Sequence, residues 1–198
     1  MMQRNTGKGR DHGFTLIELM VTIALVAVMM TLAAPSFVQY LRNSELTSLT
    51  NTLLAAINAA KSEAMKSGKS AFAQPLGTGW ASGWVVYVNR EKQSDPSTAT
   101  IVQKQEPVKS YFSITGNGTA GEPSPYIRFD SSGYSVTTGG APAALTLTIK
   151  RTDTDSVSEI RHIIVARTGR VRACKPKLSA NNNNSNSNNN VVDAGPDC

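Results

Sequence analysis

Hydrophobic positions change their rhythm twice along this chain, and each stretch predicts a different structure. From Leu19 to Leu41 no side chain is charged, an uninterrupted run of 23 residues. As a helix rising ~1.5 Å per residue, such a run is long enough to cross a ~30 Å hydrocarbon layer. Beyond it Leu46, Leu49, Leu53, Ile57, Ala60 and Ala64 recur at intervals of three and four, which marks one apolar helical face. Ser44, Asn51, Asn58, Lys61 and Ser62 fall on or near the other side. Lys66 and Gly68 suit a helix end, one by charge and the other by backbone freedom. Together these patterns predict one helix from about Phe14 to Ser67. Pro35 should kink it, because proline removes a backbone hydrogen bond and clashes with the carbonyl four residues back.

After Gly68 the period turns strand-like. Ala71 to Gln74, Gly83 to Asn89, Thr100 to Lys104, Tyr111 to Thr115, Tyr126 to Phe129, Leu145 to Lys150 and Arg161 to Ala166 are short runs rich in β-branched and aromatic residues. Gly, Pro, Ser, Asn and Asp separate them. Six or seven strands follow, mostly antiparallel, in two small sheets against the helix: an α+β fold. Trp84 and Tyr87 read as core or sheet-face residues. The expected organisation is a leader over 1–13, a membrane or filament-core helix over 14–41 and its amphipathic continuation over 42–69. A β-rich domain over 70–178 and a tail over 179–198 complete it. Asn181 to Asn190 is almost pure Asn and Ser, has nothing apolar to bury, and is expected to be mobile.

The junction before the apolar run carries the first chemistry. A secretory signal peptide places its small-residue cleavage site after the apolar region. Here Gly13 precedes it, so cutting after Gly13 removes only a basic leader holding Arg4, Lys8, Arg10 and Asp11, and leaves Phe14 as the new N-terminus of an intact apolar helix. Glu18 is the one carboxylate at the edge of that helix, where an intramembrane charge costs roughly 2.5–3.5 kcal/mol or more unless it has a partner.

Lys8 to Gly13 followed by Phe14-Thr15-Leu16-Ile17-Glu18-Leu19-Met20-Val21 resembles the class III leader and cleavage motif of type IV pilins and type II secretion pseudopilins. Ala59 to Lys66, Gly83 to Asn89 and Ile127 to Gly133 resemble the FimT, FimU and GspH group of minor pilins. The resemblance implies a type IV pilin-like fold, with a long N-terminal helix packed on the sheets. It implies cleavage between Gly13 and Phe14 by a prepilin peptidase, which also methylates the new amine. It implies a single-pass inner-membrane protein with a periplasmic C-terminal domain before assembly, and a pilus or pseudopilus subunit among other major and minor pilins afterwards. In a filament, the amine of an incoming Phe14 and a neighbour's Glu18 would compensate each other, since either charge alone is costly in an apolar bundle. The alternative is a carboxylate lying at the headgroup level.

The formal net charge is +6. The leader takes +2 of it, so the remaining chain is modestly basic. Cys174 and Cys198 are the two cysteines, without a CxxC or a cluster of metal-ligand spacing. An even pair on an exported domain reads as a disulfide, which in the chain-entropy picture is worth roughly 3–4 kcal/mol for a loop of this length; two free thiols are the other possibility. Gly116 to Gly121 fits G-x-G-x-x-G, but Glu122-Pro123-Ser124-Pro125 follows instead of a helix, so it reads as a flexible loop. Gly68-Lys69-Ser70 lacks the earlier glycine of a phosphate loop, since Glu63 stands there. No nucleophile elbow is present, and the histidines are His12, in the leader, and His162, in an expected strand. No catalytic, cofactor or metal signature survives, and the reading is of a protein that is not an enzyme.

Positive charge concentrates between Arg161 and Lys177, where six basic residues and no acidic one occur. In extended chain Arg170 and Arg172 share a face ~7 Å apart, and paired guanidinium forks suit phosphate oxygens. Gly169-Arg170-Val171-Arg172 resembles the C-terminal DNA-binding motif of FimT-type minor pilins active in natural transformation. The resemblance reaches Gly169, Arg170 and Arg172; charge alone adds Arg167, Lys175 and Lys177. No aromatic residue follows Tyr134, so the expected partner is double-stranded DNA, bound through phosphates, without sequence preference and with steep salt dependence. An ordinary basic surface is the alternative. At the level of the whole protein, the alternatives are a minor pilin acting only in assembly initiation and a type II secretion pseudopilin.

Overall fold

The structure, a computed structural model, describes residues 13–89, 99–121, 123–154, 156 and 159–176. The chain separates into two compact units, Met1–Arg42 and Asn43–Cys198. One helix, α1 (Leu16–Ser67), contributes to both.

Within the first unit α1 starts two residues later than the apolar pattern predicts, because Thr15 serves as its N-cap. The Thr15 Oγ1 accepts the Glu18 backbone N–H at 3.3 Å, and the Thr15 N–H donates back to Glu18 Oε2 at 3.2 Å. This reciprocal pair satisfies two amides that the first turn would otherwise leave open. Leu16, Ile17, Leu19, Met20, Ile23 and Val28 all stand exposed. Thr22 and Thr31 return their hydroxyls to the carbonyls of Leu19 and Val28, at 2.8 and 2.7 Å, so neither hydroxyl interrupts the apolar surface. Among the described residues no single helix is long and apolar enough to cross a membrane. Leu16–Thr31 and Ser36–Ser67 meet that test together by length and composition, with Pro35 between them.

Among its described residues the second unit holds eight strands: β1 (Ser70–Pro75), β2 (Trp84–Asn89), β3 (Thr100–Gln105), β4 (Phe112–Gly116), β5 (Ile127–Phe129), β6 (Leu145–Arg151), β7 (Ile160–Val165) and β8 (Val171–Cys174). They form two four-stranded antiparallel sheets, ordered β3-β2-β1-β5 and β4-β6-β7-β8. The core lies among α1 and both sheets. Leu46, Leu53, Ile57, Ala60 and Ala64 of the helix meet Ala71, Trp84 and Val86 of the first sheet and Leu147, Ile149, Ile163 and Val165 of the second.

The uniformly apolar run Trp84-Val85-Val86-Tyr87-Val88 has its reason in burial on both faces. Trp84, Val86 and Val88 join the main core, while Val85 and Tyr87 join Phe72 and Tyr126 on the reverse side. There the Phe72 and Tyr87 rings stack at 5.2 Å. Both Trp84 and Tyr87 are fully buried, as the sequence suggested.

Two findings depart from expectation. The G-x-G-x-x-G stretch is packed rather than flexible: Gly118–Ala120 forms one 3-10 turn, and a Cβ on Gly116 or Gly121 would lie within 2.5 Å of a backbone oxygen. Trp80 Nε1 donates to the Ala120 carbonyl at 3.0 Å and fixes the turn to the core. The second departure is β8, a strand absent from the seven expected runs.

Candidate functional site

The strand that the pattern missed carries the candidate site. Val171-Arg172-Ala173-Cys174 is four residues long with one β-branched residue, yet it pairs with β7 along its length, with Val171 opposite Val165 and Arg172 opposite Ile164. Val171 turns toward the core, so by strand alternation Arg170 and Arg172 share the outward face of this edge strand.

The β7–β8 connection is a tight hairpin. Ala166 N–H donates to the Arg170 carbonyl at 2.9 Å, and Gly169 N–H donates to the Ala166 carbonyl at 2.8 Å. Gly169, at φ +73°, supplies the left-handed residue that such a loop requires. Two further elements fix the tip. Lys61 on α1 reaches across to donate from Nζ to the Gly169 carbonyl at 2.9 Å, although the helical pattern placed it on the solvent side. Ser135 N–H donates to the Arg167 carbonyl at 3.2 Å. The backbone is therefore tied while Arg167 and Arg170 stay exposed.

The expected basic residues do not all converge. Arg167, Arg170 and Arg172 belong to the hairpin, Arg172 being half-buried. Lys175 is exposed one residue past β8, out of phase with Arg170 and Arg172. Lys177 lies outside the described residues, as do Cys198, the expected partner of Cys174, and the Asn-rich tract. Arg161 is diverted altogether: its Nη2 donates to Asn43 Oδ1 at 3.2 Å and its Nη1 to the Ile160 carbonyl at 2.8 Å, at the far end of β7. Burial lowers its pKa against a partial counter-effect from Glu159. His162 adds no charge to the outward face at neutral pH, because burial lowers its pKa, and its Nδ1 lies 3.0 Å from Thr148 Oγ1.

The turn that meets the tip begins with an acidic residue, half-buried Asp130. The Asp130 carboxylate accepts the N–H groups of Ser132 and Tyr134, both at 2.9 Å, and so caps its own turn. Among the described residues no group of three His, Cys, Asp or Glu side chains could hold a metal ion.

At the other candidate site, Gly13 and Phe14 precede the helix and are exposed. Glu18 does more here than the sequence reading assigned it. Besides its bond to the Thr15 N–H, its Oε2 accepts the Thr15 hydroxyl at 3.2 Å. The signal was legible as Thr-x-x-Glu ahead of an apolar run, the spacing of a capping box.

An N-capped apolar helix that continues into a helix packed on two antiparallel sheets defines a pilin-like subunit, a minor pilin or pseudopilin of the type IV pilus and type II secretion class. Residues 49–169 match the family described as Type II transport protein GspH, and residues 8–34 match the prokaryotic N-terminal methylation motif. The chain belongs to the GspH family. The type IV minor pilin FimU of Pseudomonas aeruginosa PAO1 superposes with a TM-score of 0.53 at 18% identity, over 67% of this chain and 90% of that one. The minor pseudopilin EpsH of Vibrio cholerae gives a TM-score of 0.49 at 17% identity, over 66% and 97%. Prepilin peptidase-dependent protein D of Escherichia coli K12 is 40% identical over 45 residues, and the match spans 31% of that protein's length and 23% of this chain.

Proposed function

We propose that this protein is a minor subunit of a type IV pilus whose β7–β8 hairpin binds double-stranded DNA during uptake in natural transformation. In this reading a prepilin peptidase cuts between Gly13 and Phe14 and methylates the new amine. The subunit waits in the inner membrane and then joins a filament through its apolar helix. The observation that carries the DNA reading is the hairpin itself, with Arg167 and Arg170 exposed on a backbone held by Lys61 and Ser135. It also lies at the end of the second unit remote from the chain's entry, since Lys61 is ~27 Å along the helix from Asn43. Guanidinium groups presented from a fixed backbone bind phosphate without the cost of ordering a loop.

The test is a binding titration of the full chain in detergent against duplex DNA across a salt series. Each lost phosphate contact lowers the slope of log K against log salt by about 0.9. Arg170→Gln with Arg172→Gln should therefore flatten the slope by up to about 1.8 and weaken binding at least tenfold at low salt, without altering preference among sequences. Unchanged DNA retention would remove the proposal. The family description favours one other reading, a pseudopilin of type II secretion. Deleting the gene separates the two: transformability should fall while secretion is intact.

Glu18 is proposed to set axial register by pairing with the methylated amine of a neighbour's Phe14. Because it also caps its own helix, two variants are needed. Gln at this third helical position keeps the reciprocal cap and discards the charge, whereas Ala loses both at a cost of about 1 kcal/mol to the helix start. Both Glu18→Gln and Glu18→Ala should insert into the membrane normally and enter filaments poorly, as scored by the subunit content of sheared fibres. Normal incorporation of Glu18→Gln would show that capping, and not charge pairing, is what the carboxylate supplies.

A further inference from the structure

In sequence the last aromatic residue, Tyr134, lies well before the basic segment, an order that speaks against stacking. In the folded unit the two meet. Gly169 sits against the turn that carries Tyr134: a Cβ on Gly169 would lie 1.7 Å from the Gly133 carbonyl oxygen and 3.4 Å from Tyr134 Cα. The next residue along, Ser135, is the one that bonds the Arg167 carbonyl. Tyr134 is thus built into the contact that holds the arginine tip.

Its exposure is out of keeping with its neighbours. Tyr134 keeps 52% of its surface in solvent, while Trp80, Trp84, Phe72, Tyr87, Phe112, Tyr126 and Phe129 are all buried. Tyr111, half-buried, is held by the Glu45 carboxylate at the opposite end of the second sheet. Among the described residues from Asn43 onward, Tyr134 is the one exposed aromatic side chain. Its backbone is rigid. Tyr134 N–H is bound by Asp130 Oδ1, its carbonyl accepts Asp130 N–H at 3.1 Å, and Phe129 bridges Ser135. The following segment is pinned by the buried Arg128, whose Nη1 donates to the carbonyls of Thr137 and Thr138 at 2.8 and 2.9 Å.

We infer that Tyr134 is a stacking platform for an unpaired base, and that with Arg167 and Arg170 it makes the hairpin a site for single-stranded DNA as well as duplex. This rests on the DNA-binding reading above. The chemistry is the pairing used wherever single strands are held without sequence choice: cations track the phosphates and an aromatic face takes a base. A duplex keeps its bases stacked on each other, so the ring can contribute only where strands are open, frayed or single. The phenol ring loses little freedom on binding, since two torsions define it and its backbone is already fixed.

The experiment measures affinities of the full chain in detergent for a single-stranded oligonucleotide of mixed sequence and for the duplex of the same length, at two salt concentrations. Tyr134→Ala and Tyr134→Leu should both lose between about five- and a hundredfold on the single strand, with duplex affinity and salt slope unchanged. Tyr134→Phe and Tyr134→Trp should bind the single strand as the parent does. Leucine keeps the bulk of the side chain, so its loss cannot be assigned to a collapsed turn. Undiminished single-strand binding by Tyr134→Ala would overturn the inference, and so would an equal loss on both ligands. The arginine double variant tells the two ideas apart: if it loses DNA while Tyr134→Ala does not, the basic site stands and the stacking role alone fails.

Discussion

Gly169→Ala is expected to destabilise the second unit by about 2–5 kcal/mol, from two causes that add. An L-residue in the left-handed region costs roughly 1–2 kcal/mol. In addition, its methyl group would fall 1.7 Å from the Gly133 carbonyl oxygen, which is backbone and can yield only if the 130–135 turn moves. Relief of such overpacking typically costs about 1–3 kcal/mol. Both tryptophans are buried in this unit, so tryptophan fluorescence during denaturant unfolding of the full chain reports it directly. Gly169→Asn separates the two causes, because asparagine tolerates the left-handed conformation but still carries a Cβ. It should recover at most the left-handed share, about 1–2 kcal/mol, and keep the loss that the Cβ clash causes. A midpoint equal to the parent's for Gly169→Ala would mean that the hairpin does not seat on Gly133. The same variant should weaken DNA binding, since the tip shifts with its support; the arginine double variant should weaken DNA binding and leave the midpoint alone. That contrast separates the glycine's supporting part from the arginines' contact with ligand.

Much of the architecture was legible because it follows from periodicity. The uncharged run, the three-and-four spacing from Leu46 to Ala64 and the β-branched runs each report burial along one element, and burial is what sequence pattern encodes. The seven expected strands all exist. What escaped were features created by contacts between segments distant in sequence. β8 was missed since its alternation is short and half of it is arginine and cysteine; β7 supplies the pairing that makes it a strand. Lys61 was placed on the solvent face by its helical position, and its bond to Gly169 links residues 108 apart. Tyr134 lies upstream of the basic run in sequence, and the fold brings its backbone to the tip. Arg161 was counted with that run by sequence proximity, although it serves the opposite end of β7. The arginine pair was readable from spacing alone; its rigid seat and its aromatic neighbour were not.

The opposite end of β7 gives the second large effect. Arg151 is fully buried, and its guanidinium is held by Asp153 through Nε at 2.9 Å and Nη2 at 2.7 Å, with Glu159 3.0 Å from Nη1. The hydrogen bond to Asp153 is the leading cause that raises its pKa, burial opposing. Asp153→Ala should cost about 3–5 kcal/mol, because it takes the bidentate carboxylate from the Nε and Nη2 donors of a buried cation. Arg151→Met should cost less: methionine fills the space of the arginine stem, and the two carboxylates left behind keep 22% and 15% of their side-chain surface in water. The order of the two variants in denaturant midpoint checks the argument, and a milder Asp153→Ala would overturn it. This network is about 20 Å from the hairpin along β7, taking ~3.3 Å per residue. Distant sites without shared partners act independently. Under conditions where it remains folded, Asp153→Ala should therefore bind duplex and single-stranded DNA as the parent does. A folded Asp153→Ala protein with weakened DNA affinity would mean that the arginine tip depends on the whole second sheet, and not on its local ties to Lys61, Gly133 and Ser135.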